Sequence, residues 1–178
     1  MINDTEKNLG AAIADKEDVM VTNNAFTDGL LNGGNETSSW TLAAWVKPNG
    51  AQRDEAMILG RFNCNSGLVG EYSHYHFRIR TNDAECTVGS VSLTYTPPDM
   101  KSWYHLVAVY NNRAMSFYAN GVLVDSGTFS ATMKSHTNTL YIGGSDANFS
   151  FKGSVDDVRI YNRALSAAEI KQLYNMGK

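Results

Sequence analysis

The stretch GSVDDVRIYNRALSAAEI, residues 153–170, decides the fold of this chain. Its first part alternates apolar with small or polar side chains, which predicts a strand over Ser154–Tyr161. The segment Ser166-Ala-Ala-Glu169 is a capping box, in which the serine hydroxyl accepts from a free backbone N–H and the glutamate reaches back. A short helix at about Ala167–Asn175 is therefore predicted, with its end at Gly177. Three apolar residues would dock this helix on the strands: Ile170, Leu173 and Tyr174.

Period-two alternation recurs through the rest of the chain and predicts further strands. They fall at Thr41–Lys47, Met57–Phe62, Tyr75–Thr81, Val88–Tyr95, Tyr104–Tyr110, Met115–Ala119 and Thr139–Gly143. Turn-forming residues separate them, and Asn120-Gly121 favours a type I′ hairpin that pairs Ser116–Ala119 with Val122–Asp125. Evenly spaced short strands of this kind predict an all-β sandwich of two antiparallel sheets with one short C-terminal helix.

Size and charge limit the class of protein and its partners. The chain has 178 residues and is expected to form one domain over 1–178, with residues 1–10 as an irregular lead-in. Its net charge of -3, without a cluster of Lys or Arg, argues against nucleic acid as a partner. No apolar run is long enough for membrane insertion. The N-terminal residues lack a signal-peptide pattern, so either the protein stays inside the cell or a leader was removed.

Six segments resemble, in their order and spacing, the laminin-G-like, concanavalin A-like lectin and glucanase jelly rolls. They are Trp40–Pro48, Ile58–Arg61, Trp103–Val107, Phe117–Gly121, Tyr141–Gly143 and Gly153–Ser166. The resemblance implies a jelly roll of two curved sheets that acts as a non-catalytic, lectin-like carbohydrate-binding module, outside the cell or at its surface. A protein-interaction or adhesive domain of the same fold, without a sugar site, is the alternative.

Carboxylates do not fall in the pattern that hydrolysis of a glycosidic bond requires. The related jelly-roll glucanases carry a Glu-x-Asp-x-x-Glu strand, which projects its carboxylates to one face, and this chain has no such strand. The nearest acidic segments, Asp54-Glu55 and Asp83-Ala-Glu85, are expected in turns. A glycoside hydrolase is therefore the less favoured reading.

The segment from Tyr72 to Asp83 is the predicted sugar site. Sugar binding needs exposed aromatic faces and planar polar groups, and the resemblance assigns Trp40, Trp45 and Trp103 to the core instead. The strand after the loop would direct its Arg side chains to the outer face, where they could bind hydroxyls or the carboxylate of an acidic sugar. The alternative hypothesis is that this sheet face is simply solvated and its arginines bind no ligand. The predicted ligand-binding residues are Tyr72, His74, Tyr75, His76, Arg78, Arg80, Asn82 and Asp83.

Calcium is the expected cofactor, because hard cations take several oxygen ligands and two acidic segments could converge. Pairing of the first strand with the last would bring Glu17 and Asp18 near Asp156. The resemblance matches Asp156 to an aspartate that family members use either for a structural ion or for a bond to neighbouring backbone, and both uses stay open.

The two cysteines are expected as free thiols. Cys64 follows the strand Met57–Phe62, and Cys86 precedes the strand Val88–Tyr95. In an up-down-up meander these positions lie at opposite edges, and seven residues of strand span roughly 23 Å.

Overall fold

The computed structural model describes residues 7–8, 12–14, 19–21, 39–52, 56–61, 75–79, 84–88, 91–128, 140–144 and 150–177. Within them the chain forms thirteen strands and one helix, which confirms the predicted class. The strands are β1 Lys7–Asn8, β2 Ala12–Ala14, β3 Val19–Val21, β4 Ser39–Pro48, β5 Ala56–Arg61, β6 Tyr75–Ile79, β7 Ala84–Val88, β8 Val91–Tyr95, β9 Tyr104–Asn111, β10 Ala114–Ala119, β11 Val122–Thr128, β12 Leu140–Ile142 and β13 Gly153–Tyr161, and the helix is α1 Ala167–Met176.

The strands form two antiparallel sheets that pack as a jelly-roll sandwich. In the described chain, one sheet has seven strands in the order β1-β13-β4-β9-β10-β11, and β2 also pairs with β13. The other sheet has six strands in the order β3-β12-β5-β6-β7-β8. The C-terminal strand β13 thus lies between the first short strands and β4, next to the edge of the larger of the two described sheets.

The main core lies between the two sheets. Alternate residues of β4 face it, because successive side chains of a strand point to opposite faces. Trp40 stacks on Tyr110 of β9 with ring centroids 5.5 Å apart. The core residues contributed by β4, β9 and β10 are Trp40, Leu42, Ala44, Val46, Tyr104, Leu106, Ala108, Tyr110, Met115, Phe117 and Ala119.

The strand prediction needs correction between residues 84 and 95. The predicted single strand Val88–Tyr95 is two strands, β7 and β8, with Val88 paired to Val91. Glu85 and Cys86 therefore lie inside β7, where they were expected in a turn or before a strand. Cys64 lies outside the described residues, so the free thiols stay a prediction. The lead-in also contains a short strand, since Lys7–Asn8 pairs with β13.

The helix docks on the outer face of the seven-stranded sheet. It begins at the predicted capping box, with the Glu169 amide donating to Ser166 Oγ at 3.3 Å and the Ser166 amide donating to Glu169 Oε2 at 2.8 Å. Its end at Met176 is one residue beyond the prediction. No helix in the described part of the chain is long and apolar enough to span a bilayer. The second, smaller core beneath α1 contains Ala43, Val107, Val109, Tyr161, Leu165, Ile170 and Leu173.

A buried threonine fixes the approach to the helix. Thr41 is 0% exposed, and its Oγ1 donates to the Arg163 carbonyl at 2.9 Å while accepting from the Leu165 amide at 3.0 Å. One hydroxyl therefore satisfies a donor and an acceptor of the segment that joins β13 to α1.

The β10–β11 hairpin has the predicted type I′ turn. Asn120 and Gly121 both have positive φ, 53° and 75°. A Cβ at Gly121 would lie 2.9 Å from the Lys171 Cδ and 3.3 Å from Tyr174, so the hairpin tip also needs glycine to approach α1. Asn120 Oδ1 accepts from the His105 amide at 3.0 Å, which fixes the tip to β9.

Replacing Thr41 by valine should destabilise the protein by about 1–3 kcal/mol, because the isosteric side chain removes the hydrogen-bond acceptor of the buried Leu165 amide and a donor to the Arg163 carbonyl. Urea unfolding checks this. Thr128→Val, the same change at an exposed position of β11, should stay within about 0.5 kcal/mol of wild type. Equal stability of Thr41→Val and Thr128→Val would show that the hydroxyl does not fix the helix.

Candidate functional site

An open groove of about 800 Å³ lies on the outer side of the seven-stranded sheet, at the C-terminal end of α1. This volume falls within the range of small-molecule sites, roughly 300–1,000 Å³. The described residues that line it are Trp45, Trp103, Asp156, Asp157, Tyr174 and Gly177. None of them belongs to the sugar site predicted from the sequence, and Asp156 was predicted either as a metal ligand or as an acceptor for neighbouring backbone.

Three rings pack together beside the helix, and two of them, Trp45 and Tyr174, line the groove while His105 lies buried beneath it. Trp45 and His105 face each other in register on β4 and β9, with ring centroids 5.2 Å apart. Tyr174 of α1 stacks on Trp45 at 5.7 Å with an interplanar angle of 22°. Gly177 caps the helix directly against the indole, and a Cβ there would collide with Trp45 Nε1. The helix end and the ring stack therefore hold each other in place.

Trp103 does not lie in the core, contrary to the expectation from the family resemblance. It is 41% exposed, whereas Trp40 is 1% exposed and Trp45 is half-buried. The helix is too short to cover Trp103. Its C-terminal end reaches the row of Trp45 and His105, and Trp103 lies beyond the next pair, Val46 and Tyr104. A partly exposed indole is therefore left at the groove wall.

A β-bulge in β13 places two carboxylates at the groove. Val155 and Val158 are both buried although they are three positions apart, a spacing that regular alternation would place on opposite faces, so one residue must be absorbed between them. Asp157 adopts a positive φ of 48°, and the register with β4 shifts after Asp156. The doubled aspartate between two valines was the sequence signal for this bulge.

The two aspartates have different partners. Asp156 is exposed, faces Trp45 in register, and accepts the Asp157 amide on Oδ1 at 2.7 Å. Asp157 Oδ1 accepts from Arg159 Nε at 2.9 Å in a partly buried ion pair. The bond that Asp156 makes is the backbone role that the sequence left open beside metal binding, and its second oxygen is available to a ligand.

His105 is a buried titratable group beneath the groove. It is 2% exposed, and its Nδ1 has no hydrogen-bond partner among the described residues. Burial lowers the pKa of His105 to about 4, with Asp157 opposing this shift and Arg159 adding to it. The imidazole is therefore neutral at pH 7 and serves as a flat partner for Trp45 and Tyr174.

The predicted sugar-site residues fall on the other sheet or outside the described residues. Tyr75, His76 and Arg78 lie in β6, and the register places Arg78 opposite Glu85 of β7. The remaining predicted residues, for which the sugar site stays a prediction, are Tyr72, His74, Arg80, Asn82 and Asp83.

Of the three predicted calcium ligands, Asp156 alone lies among the described residues. No group of three or more His, Cys, Asp and Glu that could hold a metal comes together among the described residues. Asp156 offers a single free carboxylate oxygen, whereas calcium takes six to eight oxygens. Glu17 and Asp18 lie outside the described residues, while β1 and β2 do pair with β13 as expected for the first strands.

Comparison with known proteins decides the family. The pattern of the concanavalin A-like lectin/glucanases superfamily matches residues 20–171 of this sequence. The chain belongs to this superfamily.

Two curated relatives that this chain matches are much longer proteins. Mouse pappalysin-1 is 25% identical over 154 residues, which cover 74% of this chain and 9% of pappalysin-1. Zebrafish adhesion G-protein coupled receptor V1 is 25% identical over 157 residues, which cover 78% of this chain and 2% of the receptor. The superfamily domain thus corresponds to a small part of each relative.

Solved structures share the jelly-roll fold at low sequence identity. The binding domain of Paraclostridial Mosquitocidal Protein 1 has a TM-score of 0.67 and 14% identity, over 98% of this chain and 46% of that one. A structure of botulinum neurotoxin type C, whose cell entry depends on two ganglioside molecules, has a TM-score of 0.65 and 16% identity, over 97% and 43%. The binding domain of botulinum neurotoxin DC in complex with rat synaptotagmin II has a TM-score of 0.66 and 15% identity, over 99% and 44%. This lectin-like binding fold therefore occurs in proteins that bind glycans and proteins.

The buried His105 should make the protein less stable in acid. Its pKa is near 6.5 in the unfolded chain and about 4 in the fold, so the unfolded state binds more protons between these values. Stability is fully present above about pH 6.5 and falls as the pH drops towards 4, by about 3 kcal/mol at most. Urea unfolding at several pH values checks this, and His105→Leu should remove that part of the slope. An unchanged slope in the variant would contradict the assignment.

Proposed function

We propose that this chain is a non-catalytic carbohydrate-binding module that holds a sugar ring against Trp103 in the groove at the end of α1. The observation that carries the proposal is the exposure of Trp103, at 41%, on the groove wall. It makes no ring contact with any other residue that the structure describes. An exposed indole face is what the apolar side of a pyranose ring requires.

The other lining residues supply the polar half of a sugar site. Asp156 is exposed and has a carboxylate oxygen free to accept from sugar hydroxyls. Strands β4 and β13 carry Trp45 and Asp156 at facing register positions, so the groups are held by the sheet and not by a loop. Rigid presentation lowers the entropy that a ligand loses on binding. The combination of one open ring and one free carboxylate supports sugar binding.

The arrangement of the carboxylates supports binding without hydrolysis. A glycosidase places two carboxyl groups on opposite sides of the scissile bond, about 5–9.5 Å apart. Asp156 and Asp157 are neighbours on one strand and on one wall of the groove. Asp157 is also engaged by Arg159. This pair cannot flank a sugar bond.

A protein-binding module is the second candidate. Val122 and Leu123 are large apolar residues at the start of the edge strand β11, and they are 59% and 51% exposed. The likeness to a toxin binding domain solved in complex with synaptotagmin also supports a protein partner. Against addition of a partner strand, Asp125 accepts from the Thr94 amide at 2.9 Å and links this edge to β8 of the other sheet. Glycan binding is therefore the function that the described residues support best.

Trp103→Ala should reduce the affinity for a bound glycan at least tenfold, about 1.4 kcal/mol, without lowering the melting temperature. A glycan array on the wild-type chain identifies the sugar, and calorimetric titration measures each variant. Leu123→Ala is the control, because it removes an exposed apolar side chain that does not line the groove. Arg78→Ala tests the segment from Tyr72 to Asp83 as the alternative location. Loss of binding in Arg78→Ala with full binding in Trp103→Ala would move the site to the other sheet, and no bound sugar on the array would refute the function.

Calcium binding through Asp156, Glu17 and Asp18 is a separate proposal. A bound ion stabilises the folded state by mass action, so calcium should raise the melting temperature and a chelator should lower it. Magnesium at the same concentration is the control, since it demands a smaller, octahedral shell. Equal melting temperatures in calcium and in chelator would exclude the ion.

A further inference from the structure

We infer that the groove at the end of α1 selects glycans that carry protonated amino groups, and that Asp156 supplies the selecting charge. This inference rests on the proposed carbohydrate function and adds the class of ligand. It opposes the sequence-based expectation of an acidic sugar, which depended on Arg78 and Arg80 of another segment.

The uncompensated negative charge of the groove lies on one carboxylate, that of Asp156. The described lining residues include two aspartates and no lysine or arginine. Arg159 compensates Asp157 through its 2.9 Å ion pair. Asp156 has no ion-pair partner among the described residues, and its only described bond is the one from the Asp157 amide. An uncompensated, exposed carboxylate therefore faces the space above Trp45.

The rings of the groove have the chemistry that attracts cations. An aromatic face carries negative electrostatic potential, and tryptophan is the most effective of the side chains. One ring of the cluster already holds a cation, since Lys171 Nζ lies 5.0 Å from the centre of the Tyr174 ring. Trp103, the most exposed ring of the groove, is available for a ligand cation in the same way.

The positive side chain nearest along β4 does not line the groove. Lys47 is exposed, two residues beyond Trp45, and is not among the lining residues. Its long stem lets the ammonium stay in water away from a cationic ligand. An anionic sugar ring would meet the Asp156 carboxylate, whereas an amino sugar would contact both Asp156 and Trp103.

The test compares three oligosaccharides of equal length by calorimetric titration: a β-1,4-linked glucosamine oligomer, its N-acetylated counterpart, and an oligogalacturonate. The amine form should bind about tenfold more tightly than the acetylated form, from one exposed ion pair and one cation–π contact. Asp156→Asn should remove most of this difference, because it keeps the acceptor for the Asp157 amide but loses the charge. Asp125→Asn, the same charge removal on β11, should leave the difference intact. Added salt should weaken the amine form more than the acetylated form.

The outcomes separate the inference from the proposed function. Equal binding of the amine and acetylated forms, with the affinity of both reduced in Trp103→Ala, would overturn the amine preference and leave the carbohydrate function standing. Tightest binding of the oligogalacturonate would overturn the preference as well. Binding of none of the three would overturn it, and a glycan array without a bound sugar would then refute the carbohydrate function itself.

Discussion

The docking of α1 on the outer face of the seven-stranded sheet is the constraint on which the candidate site depends. Thr41 fixes the segment before the helix through two buried hydrogen bonds, and Ile170 and Leu173 bury its apolar face. Because the helix ends at Gly177 against Trp45, the sheet is covered up to this row and open beyond it. The same contact therefore buries His105 and leaves Trp103 exposed.

The second constraint on the candidate site is the bulge in β13, the strand that pairs with β4. An uninterrupted alternation would have placed one of the two aspartates towards the core between Val155 and Val158. The extra residue keeps both valines buried and both carboxylates out of the core. Positive φ at Asp157 is tolerated because a short polar side chain can enter the left-handed region. Bulges commonly re-aim side chains beside functional sites, and this one brings carboxylates next to an aromatic floor.

Local chemistry explains which parts of the fold could be predicted. The capping box and the Asn120-Gly121 turn each specify backbone conformation through residues within a few positions, so the helix start and the type I′ turn were both correct. The strand pairing departs from the prediction at a bulge, where Ser116 pairs with Ser126 and not with Asp125. The strand β7 was missed because the acidic residues at its start were interpreted as a turn, although Ala84–Val88 alternates apolar with polar side chains. Trp103 was assigned to the core from the family resemblance, but its burial depends on how far α1 reaches across the sheet. That distance is set by contacts between residues more than sixty positions apart, which no local pattern contains.

The position of the groove also bears on how ligand and fold are related in this superfamily domain. The sugar segment predicted from the sequence leads into and follows β6 of the six-stranded sheet, whereas the groove is on the outer side of the seven-stranded one. The two locations offer opposite chemistry, arginines at one and an uncompensated aspartate at the other. A jelly roll fixes neither choice, because its core contacts are satisfied whichever outer face binds. The groove itself is formed by features outside the main core: the reach of a ten-residue helix, one extra residue in a strand, and an indole left uncovered between them.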